Sequence, residues 1–332
     1  MSAAWFPWQA PQWRRIRSML AAGRLPHGLI LAGPDGLGKR HFAHIVAAML
    51  LCESRTGEGL ACGRCRACAL YAAGNHPDAK VVVPEEEGKA IAVDQIRELG
   101  LFAALKSHGG GWQIAIIAPA DAMNRSAANA LLKTLEEPPP GMHLLLIAEQ
   151  PSRLPATVRS RCQTLLFRSD DTAMAWLSSQ TPATERGDLQ AALAMSRGAP
   201  LASLRLLQEN ALSKRFELLE QLDSIRARRA EPITVATDWV KKGTALALSL
   251  LRLLMMETIK FKMMGGSYAS HAFPDLTERL KESAKRIDLQ ALFMAYDTVE
   301  TGWRLLGSGT NVREQDVMES IAIAWARQPV AD

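Results

Sequence analysis

Residues Asn124–Cys162 read NRSAANALLKTLEEPPPGMHLLLIAEQPSRLPATVRSRC. From Asn124 to Glu137 the pattern is helical, with Ala130, Leu131, Thr134 and Leu135 on one side, because residues three and four apart share a helix face. Pro138, Pro139 and Pro140 stop that helix, since proline lacks the N–H that a further turn needs. His143 to Ala148 follows as an unbroken apolar run, the length of a strand buried on both faces of a parallel sheet. The stretch closes on Ser160-Arg161-Cys162, an arginine between two small residues.

Upstream, Leu29-Ile30-Leu31-Ala32 is a second central-strand candidate. It runs into Gly33-Pro-Asp-Gly36-Leu-Gly38-Lys39-Arg40 and then a helix from about His41 to Leu51. Strand, glycine loop and helix is the setting in which G-x-x-x-x-G-K cradles phosphate. The glycines let the backbone turn tightly and aim N–H groups outward, the helix start adds its positive end, and Lys39 can neutralise an oxygen. The next residue should be Ser or Thr, whose hydroxyl holds Mg²⁺, but Arg40 stands there and cannot ligate a cation. Two readings stay open: a loop that holds phosphate or ATP, and a loop that only keeps the shape of an ATP site.

Cys52, Cys62, Cys65 and Cys68 form the pattern C-x9-C-x2-C-x2-C. Cysteines two residues apart can turn both thiolates toward one ion, and four sulfurs close a tetrahedral structural zinc site. An iron–sulfur pattern begins the same way, although the cysteine followed by proline that usually completes it is missing downstream. Buried, unligated cysteines are the third reading.

The 129–139 run Asn-Ala-Leu-Leu-Lys-Thr-Leu-Glu-Glu-Pro-Pro, the triplet Ser160-Arg161-Cys162, the glycine loop and the cysteine cluster together resemble the clamp-loader branch of the AAA+ ATPases, and within it the delta-prime subunits of bacterial DNA polymerase III. The resemblance is close over the first half of the chain and rests on helical pattern beyond it. It implies an AAA+ P-loop-type parallel-sheet domain with a zinc insertion (1–167, zinc module about 52–68), a small helical lid (168–208) and an all-α collar that joins subunits into a ring (209–332). It also matches Cys52, Cys62, Cys65 and Cys68 to structural zinc ligands.

In active relatives the strand matching Trp112–Ala118 ends in Asp-Glu, which support Mg²⁺ and polarise water. The matching positions here are Ala118 and Pro119, which carry no side-chain oxygen. Asp121 lies beyond the strand end, where capping or exposure on the next turn is expected. A sensing arginine expected after Arg197-Gly198-Ala199-Pro200 aligns with Leu201. These losses imply a chain that hydrolyses no ATP by itself. Arg161 matches the arginine that reaches the γ-phosphate of ATP bound to a neighbouring subunit. The partners so implied are the gamma/tau and delta subunits, with the sliding clamp and primed DNA met through the complex. Cys162 reads as a small core residue.

Past residue 208 the pattern is helix throughout, with a methionine-rich face at Met255, Met256, Met263 and Met264 suited to core or interface, and glycine-rich loops at 109–111, 265–267 and 307–309. A chain of 332 residues, 48% hydrophobic and 22% charged, is ordinary for a folded soluble protein. The net charge of +5 permits contact with nucleic acid without requiring it. The Arg226, Arg228 and Arg229 cluster reads as a solvated helix face. The start MSAAWFPWQAPQW lacks the basic and apolar regions of a secretory leader, and Ala245–Met264 carries too many charges to span a bilayer. A cytoplasmic, replisome-associated protein is expected. Two rivals remain: an active gamma/tau-type ATPase, opposed by Arg40, Ala118 and Pro119, and an AAA+-like helicase loader or repair adaptor acting on DNA.

Overall fold

A computed structural model describes residues 5–86, 88–108, 111–265, 268, 270, 273–307 and 312–327. Of the expected glycine-rich loops, residues 109, 110, 266, 267, 308 and 309 lie outside that set. The chain divides into two compact units, Met1–Ala173 and Met174–Asp332.

The first unit begins with a 3-10 turn, Pro7–Gln9, and continues as α1 (Ala10–Ala21), β1 (Gly28–Ala32), α2 (Lys39–Leu51), α3 (Arg66–Ala72), β2 (Ala79–Val82), α4 (Val93–Ala104), β3 (Gln113–Ile117), α5 (Arg125–Glu136), β4 (Met142–Ala148), α6 (Ala156–Arg159) and β5 (Gln163–Leu166). The strands form one parallel sheet in the order β2-β3-β4-β1-β5. This is the AAA+-type α/β domain that the resemblance implies. The three inner strands are buried at every residue, as their unbroken Leu/Ile/Ala runs require when both faces are covered. Edge strand β5 buries only Leu165.

Helix α5 starts where the side chain of Asn124 accepts the Ala127 N–H at 2.8 Å, a side-chain cap that satisfies one otherwise unpaired donor. Its buried face is Ala127, Ala128, Leu131 and Leu135; Ala130 and Thr134 lie at the margin of that face. The chain leaves β1 for one edge of the sheet and leaves β4 for the other, so the carboxyl end of β1 is the switch point where α/β sheets place ligands.

The second unit is helical. Helix α7 (Thr172–Gln180) leads into α8 (Arg186–Met195), α9 (Pro200–Gln208), α10 (Ala211–Arg226), α11 (Pro232–Met264), α12 (Thr277–Arg286), α13 (Leu289–Gly307) and α14 (Glu314–Ala326). Arg197 and Gly198, both at positive φ, turn the chain between α8 and α9. Gly243, at φ 113° and ψ 102°, breaks α11 where a Cβ would be strained. Trp239, Leu251, Phe273, Leu292, Val299 and Met318 belong to one buried cluster, and the Trp325 indole N–H donates to the Leu222 carbonyl. The methionine face divides: Met255 is core, whereas Met263 and Met264 are exposed. Among the described residues no helix is long and apolar enough to cross a membrane.

Candidate functional site

The glycine loop leaves β1 at the switch point. Gly33 sits at φ 149°, and a Cβ there would come within 2.6 Å of the Phe167 carbonyl. Gly38 takes the left-handed conformation that starts α2. The loop makes the tight glycine turn that the sequence suggests, and two of its side chains, Leu37 and Lys39, are buried.

Lys39 is 4% exposed and its ammonium donates to the Pro34 carbonyl at 2.7 Å. Burial pulls its pKa below the ordinary lysine value, and the carboxylates of Glu149, Asp35 and Asp121 only partly oppose that. The 3-10 turn before α1 closes over the loop. The Trp8 indole N–H donates to the Leu37 carbonyl at 3.0 Å, and the Gln9 amide donates to the carbonyls of Leu37 and Gly38 at 2.8 and 3.0 Å. The Phe6 ring lies so close that a Cβ on Gly38 would meet it at 2.8 Å. This latch acts on carbonyls alone, so it fixes the loop without using its N–H groups.

The residues just before α1 thus cover the loop. Phe6, Trp8 and Gln9 were missed in the sequence; the dense aromatics of Trp5-Phe6-Pro7-Trp8, in a chain with 6% aromatic residues, were the available signal.

At the positions that the resemblance matches to cation ligands, the side chains carry no oxygen. Arg40 is exposed in the first turn of α2, Ala118 is buried at the end of β3, and Pro119 follows it. Asp121 neither caps a helix nor turns to solvent as expected. Its carboxylate accepts the N–H groups of Glu149 and Gln150, at 3.1 and 2.8 Å, and so braces the end of β4. Those donors just past the strand were unpaired by the sheet, which made them better partners than water.

Ser160, Arg161 and Cys162 lie between α6 and β5. Cys162 packs inward, where burial raises its thiol to about 11, in keeping with a small core residue. Arg161 points outward. It pairs with Glu136 of α5 at 2.7 Å and donates to the Thr157 carbonyl at 3.1 Å. Because β5 is parallel to β1 with Gln163 opposite Leu29, Arg161 stands level with residue 27, at the amino end of the sheet. The glycine loop begins at residue 33, so about 20 Å of strand separates the two at the usual rise per residue. A phosphate in this chain's own loop is out of reach of Arg161.

Cys52 and Cys62 of the excursion after α2 meet Cys65, which caps α3, and Cys68 in its first turn, with all four sulfurs within 4.8 Å of one another. The pairs Cys52–Cys65 and Cys62–Cys68 are each 4.0 Å apart. Sulfurs at 2.3 Å from a tetrahedral zinc would be spaced by about 3.8 Å, so the donor set fits that ion. Backbone N–H groups of Ser54, Cys62, Cys65 and Cys68 point at cysteine sulfurs, as thiolates need. Such donors, from Arg64 and Cys65 first, pull Cys62 down to about 6, whereas burial pushes Cys68 up to about 12.

A family model described as DNA polymerase III, delta subunit, matches residues 8–171, and a model of its C-terminal part matches residues 209–326. A Pseudomonas aeruginosa protein named DNA polymerase III subunit delta' is 40% identical over 238 residues, which is 70% of this chain and 71% of that one. Proteins of the same name from Yersinia pestis and Haemophilus influenzae are 35% and 31% identical, each over 79% of their own length and 80% and 78% of this chain.

Proposed function

Since the chain belongs to the family of DNA polymerase III delta-prime subunits, we propose that it is the non-hydrolysing member of a clamp-loader ring. With gamma/tau and delta subunits it takes part in ATP-dependent loading of the sliding clamp onto primed DNA in the cytoplasm. It contributes a rigid AAA+-type body (1–167), a lid (168–208) and a collar (209–332), and it lends Arg161 to the ATP site of one neighbour.

One observation carries this reading: the loop that would bind nucleotide is turned in on itself, while the arginine at the other end of the same sheet is presented outward. Lys39 is committed to the Pro34 carbonyl, and Arg40, Ala118 and Pro119 supply no oxygen to a cation. Gly33, Gly36 and Gly38 then serve shape. A guanidinium is suited to the role in trans, because its planar donors neutralise transition-state charge on a γ-phosphoryl group.

In this reading Cys52, Cys62, Cys65 and Cys68 hold one structural zinc, which ties the excursion to α2 and supplies no chemistry to a reaction. Because the ligands bind as thiolates, protons compete with the ion, and metal retention falls as pH is lowered. Metal analysis of protein dialysed at pH 7.5 and at pH 5 checks this, and stoichiometric iron or no metal at pH 7.5 refutes it.

The deciding experiment for the whole is co-purification with gamma/tau and delta subunits, followed by phosphate release. A stable complex whose DNA-stimulated hydrolysis requires this chain, together with no turnover by the chain alone, supports the reading. Turnover by the lone chain that Lys39→Ala abolishes identifies an active ATPase instead.

A further inference from the structure

The positive charge of the chain is not spread evenly. Residues 1–72 hold nine Lys or Arg against three Asp or Glu, a surplus of six, which exceeds the +5 of the whole chain. The remaining 260 residues are therefore slightly acidic. Within the first 72 residues, Arg14, Arg15, Arg17, Arg24, Arg64 and Arg66 are all exposed. Among the described residues none of these six is ion-paired, whereas Arg97, Arg161, Arg215, Arg252, Arg279 and Arg286 are.

These arginines come from two segments that meet. Arg14 and Arg17 share a face of α1, being three residues apart. The Arg17 guanidinium lies against the loop of the cysteine excursion, with its Nε 3.0 Å from where a Cβ on Gly59 would stand. Arg64 and Arg66 lie within that excursion, interleaved with Cys62, Cys65 and Cys68. Four sulfurs at ligand spacing give those two arginines a rigid base.

Beside this face is an open groove of about 540 Å³, with Arg55, Arg66, His76, His108 and Trp112 in its walls. Its two carboxylates are turned to internal work. Glu53 accepts the Ala67 N–H at 3.2 Å, and Asp78, 2% exposed, accepts the His108 N–H at 2.9 Å. A groove of this size takes one or two nucleotide units, and Trp112, whose ring packs on His143 at 4.9 Å, lines its wall with His108.

We propose that the α1–cysteine-module face and its groove bind single-stranded DNA directly, with phosphates on Arg14, Arg17, Arg64 and Arg66 and a base in the groove at Trp112. Arginines outside ion pairs suit a phosphodiester backbone, and the aromatic wall favours an unpaired strand over a duplex, whose bases are already stacked. The surface lies far from the ring contact of Arg161 in function: it concerns how the chain meets DNA, not how it meets another subunit.

The test uses the full-length, metal-loaded chain and fluorescence anisotropy of a labelled 20-nucleotide oligodeoxynucleotide, its blunt duplex, and polyglutamate as a competitor. Single-stranded DNA is expected to bind with a log–log salt slope of about −3, as four phosphate contacts at about −0.7 each require. Arg64→Glu with Arg66→Glu should weaken it at least tenfold. Arg14→Glu with Arg17→Glu, on a helix remote in sequence from the cysteines, should do the same with metal content unchanged. Arg228→Glu with Arg229→Glu, an equal change of charge in the second unit, should leave affinity within twofold. Trp112→Ala should reduce binding of the single strand and not of the duplex. The proposal is overturned by no saturable binding, by binding that neither patch variant weakens, by duplex binding as tight as single strand with no effect of Trp112→Ala, or by polyglutamate displacing DNA at equal charge, which would identify an acidic peptide as the ligand. Continued co-purification of the patch variants with the other loader subunits keeps this result separate from the ring assignment.

Discussion

Strands β1 and β5 lie side by side, and each carries, at opposite ends, one feature that the sequence suggests is directed at phosphate. After β1 the glycine loop keeps its backbone turn but commits its lysine and carbonyls to internal partners. Before β5 the Ser160–Cys162 turn does the reverse: Cys162 anchors inward and Arg161 extends. In the proposed reading, a glycine loop gives up nucleotide chemistry through side-chain commitment while keeping its backbone shape. A backbone turn is held by the sheet and by glycine, whereas a side chain changes partner when one neighbour changes.

The comparison breaks first at Arg161. In a reconstituted ring, Arg161→Ala should lower DNA-stimulated ATP hydrolysis by about a thousandfold, the lower end of what such arginines contribute. Arg161→Lys should fail to restore it, since an ammonium lacks the planar fork. Steady-state phosphate release measures both, and undiminished turnover would reduce Arg161 to a surface ion pair.

The glycine-loop side is probed by Trp8, which is 1% exposed and bonded to Leu37. Trp8→Ala should cost about 3 kcal/mol, as removal of a buried indole does, read from urea unfolding. It should create no ATPase activity, because the missing oxygens at Arg40, Ala118 and Pro119 are unaffected.

Lys39 sharpens the contrast through pH. Its folded pKa is depressed, chiefly by burial, so the unfolded chain binds its proton more tightly. Stability at this group therefore rises as pH climbs through the folded value toward about 10.4, where the free amine titrates. Lys39→Ala should flatten that alkaline rise in a series of denaturation curves and shift stability at neutral pH by only about 1 kcal/mol, the scale of one hydrogen bond.

The smallest effect belongs to Glu136. Its pair with Arg161 is half exposed, so Glu136→Ala should change stability by less than about 0.5 kcal/mol. Ring assembly should persist, and hydrolysis by the complex should stay within twofold of wild type.

Much of this was legible in the sequence, for reasons that differ by region. Leu29–Ala32 and His143–Ala148 read as central strands because an unbroken apolar run has one low-energy home, inside a covered sheet. The C-x2-C spacing accounts for Cys62, Cys65 and Cys68 at one point, while Cys52 joins them from the end of α2. What stayed hidden depends on contacts between residues far apart in the chain. The Trp8–Leu37 bond joins positions 29 residues apart, the Asp121 brace spans 28, and nothing local marks either. Glu136 as the partner of Arg161 was hidden for the same reason, although both lie in the stretch that decided the fold.

Gly28 in β1 has a cost that reaches further than its own strand. A methyl group there would stand 2.9 Å from the Cys162 sulfur and 3.0 Å from a Leu135 methyl. Those two residues are the immediate chain neighbours of Arg161 and Glu136. Adding a single carbon at position 28 would thus press on both members of that ion pair from beneath, so the heritable freedom of this glycine is limited by a guanidinium it never touches.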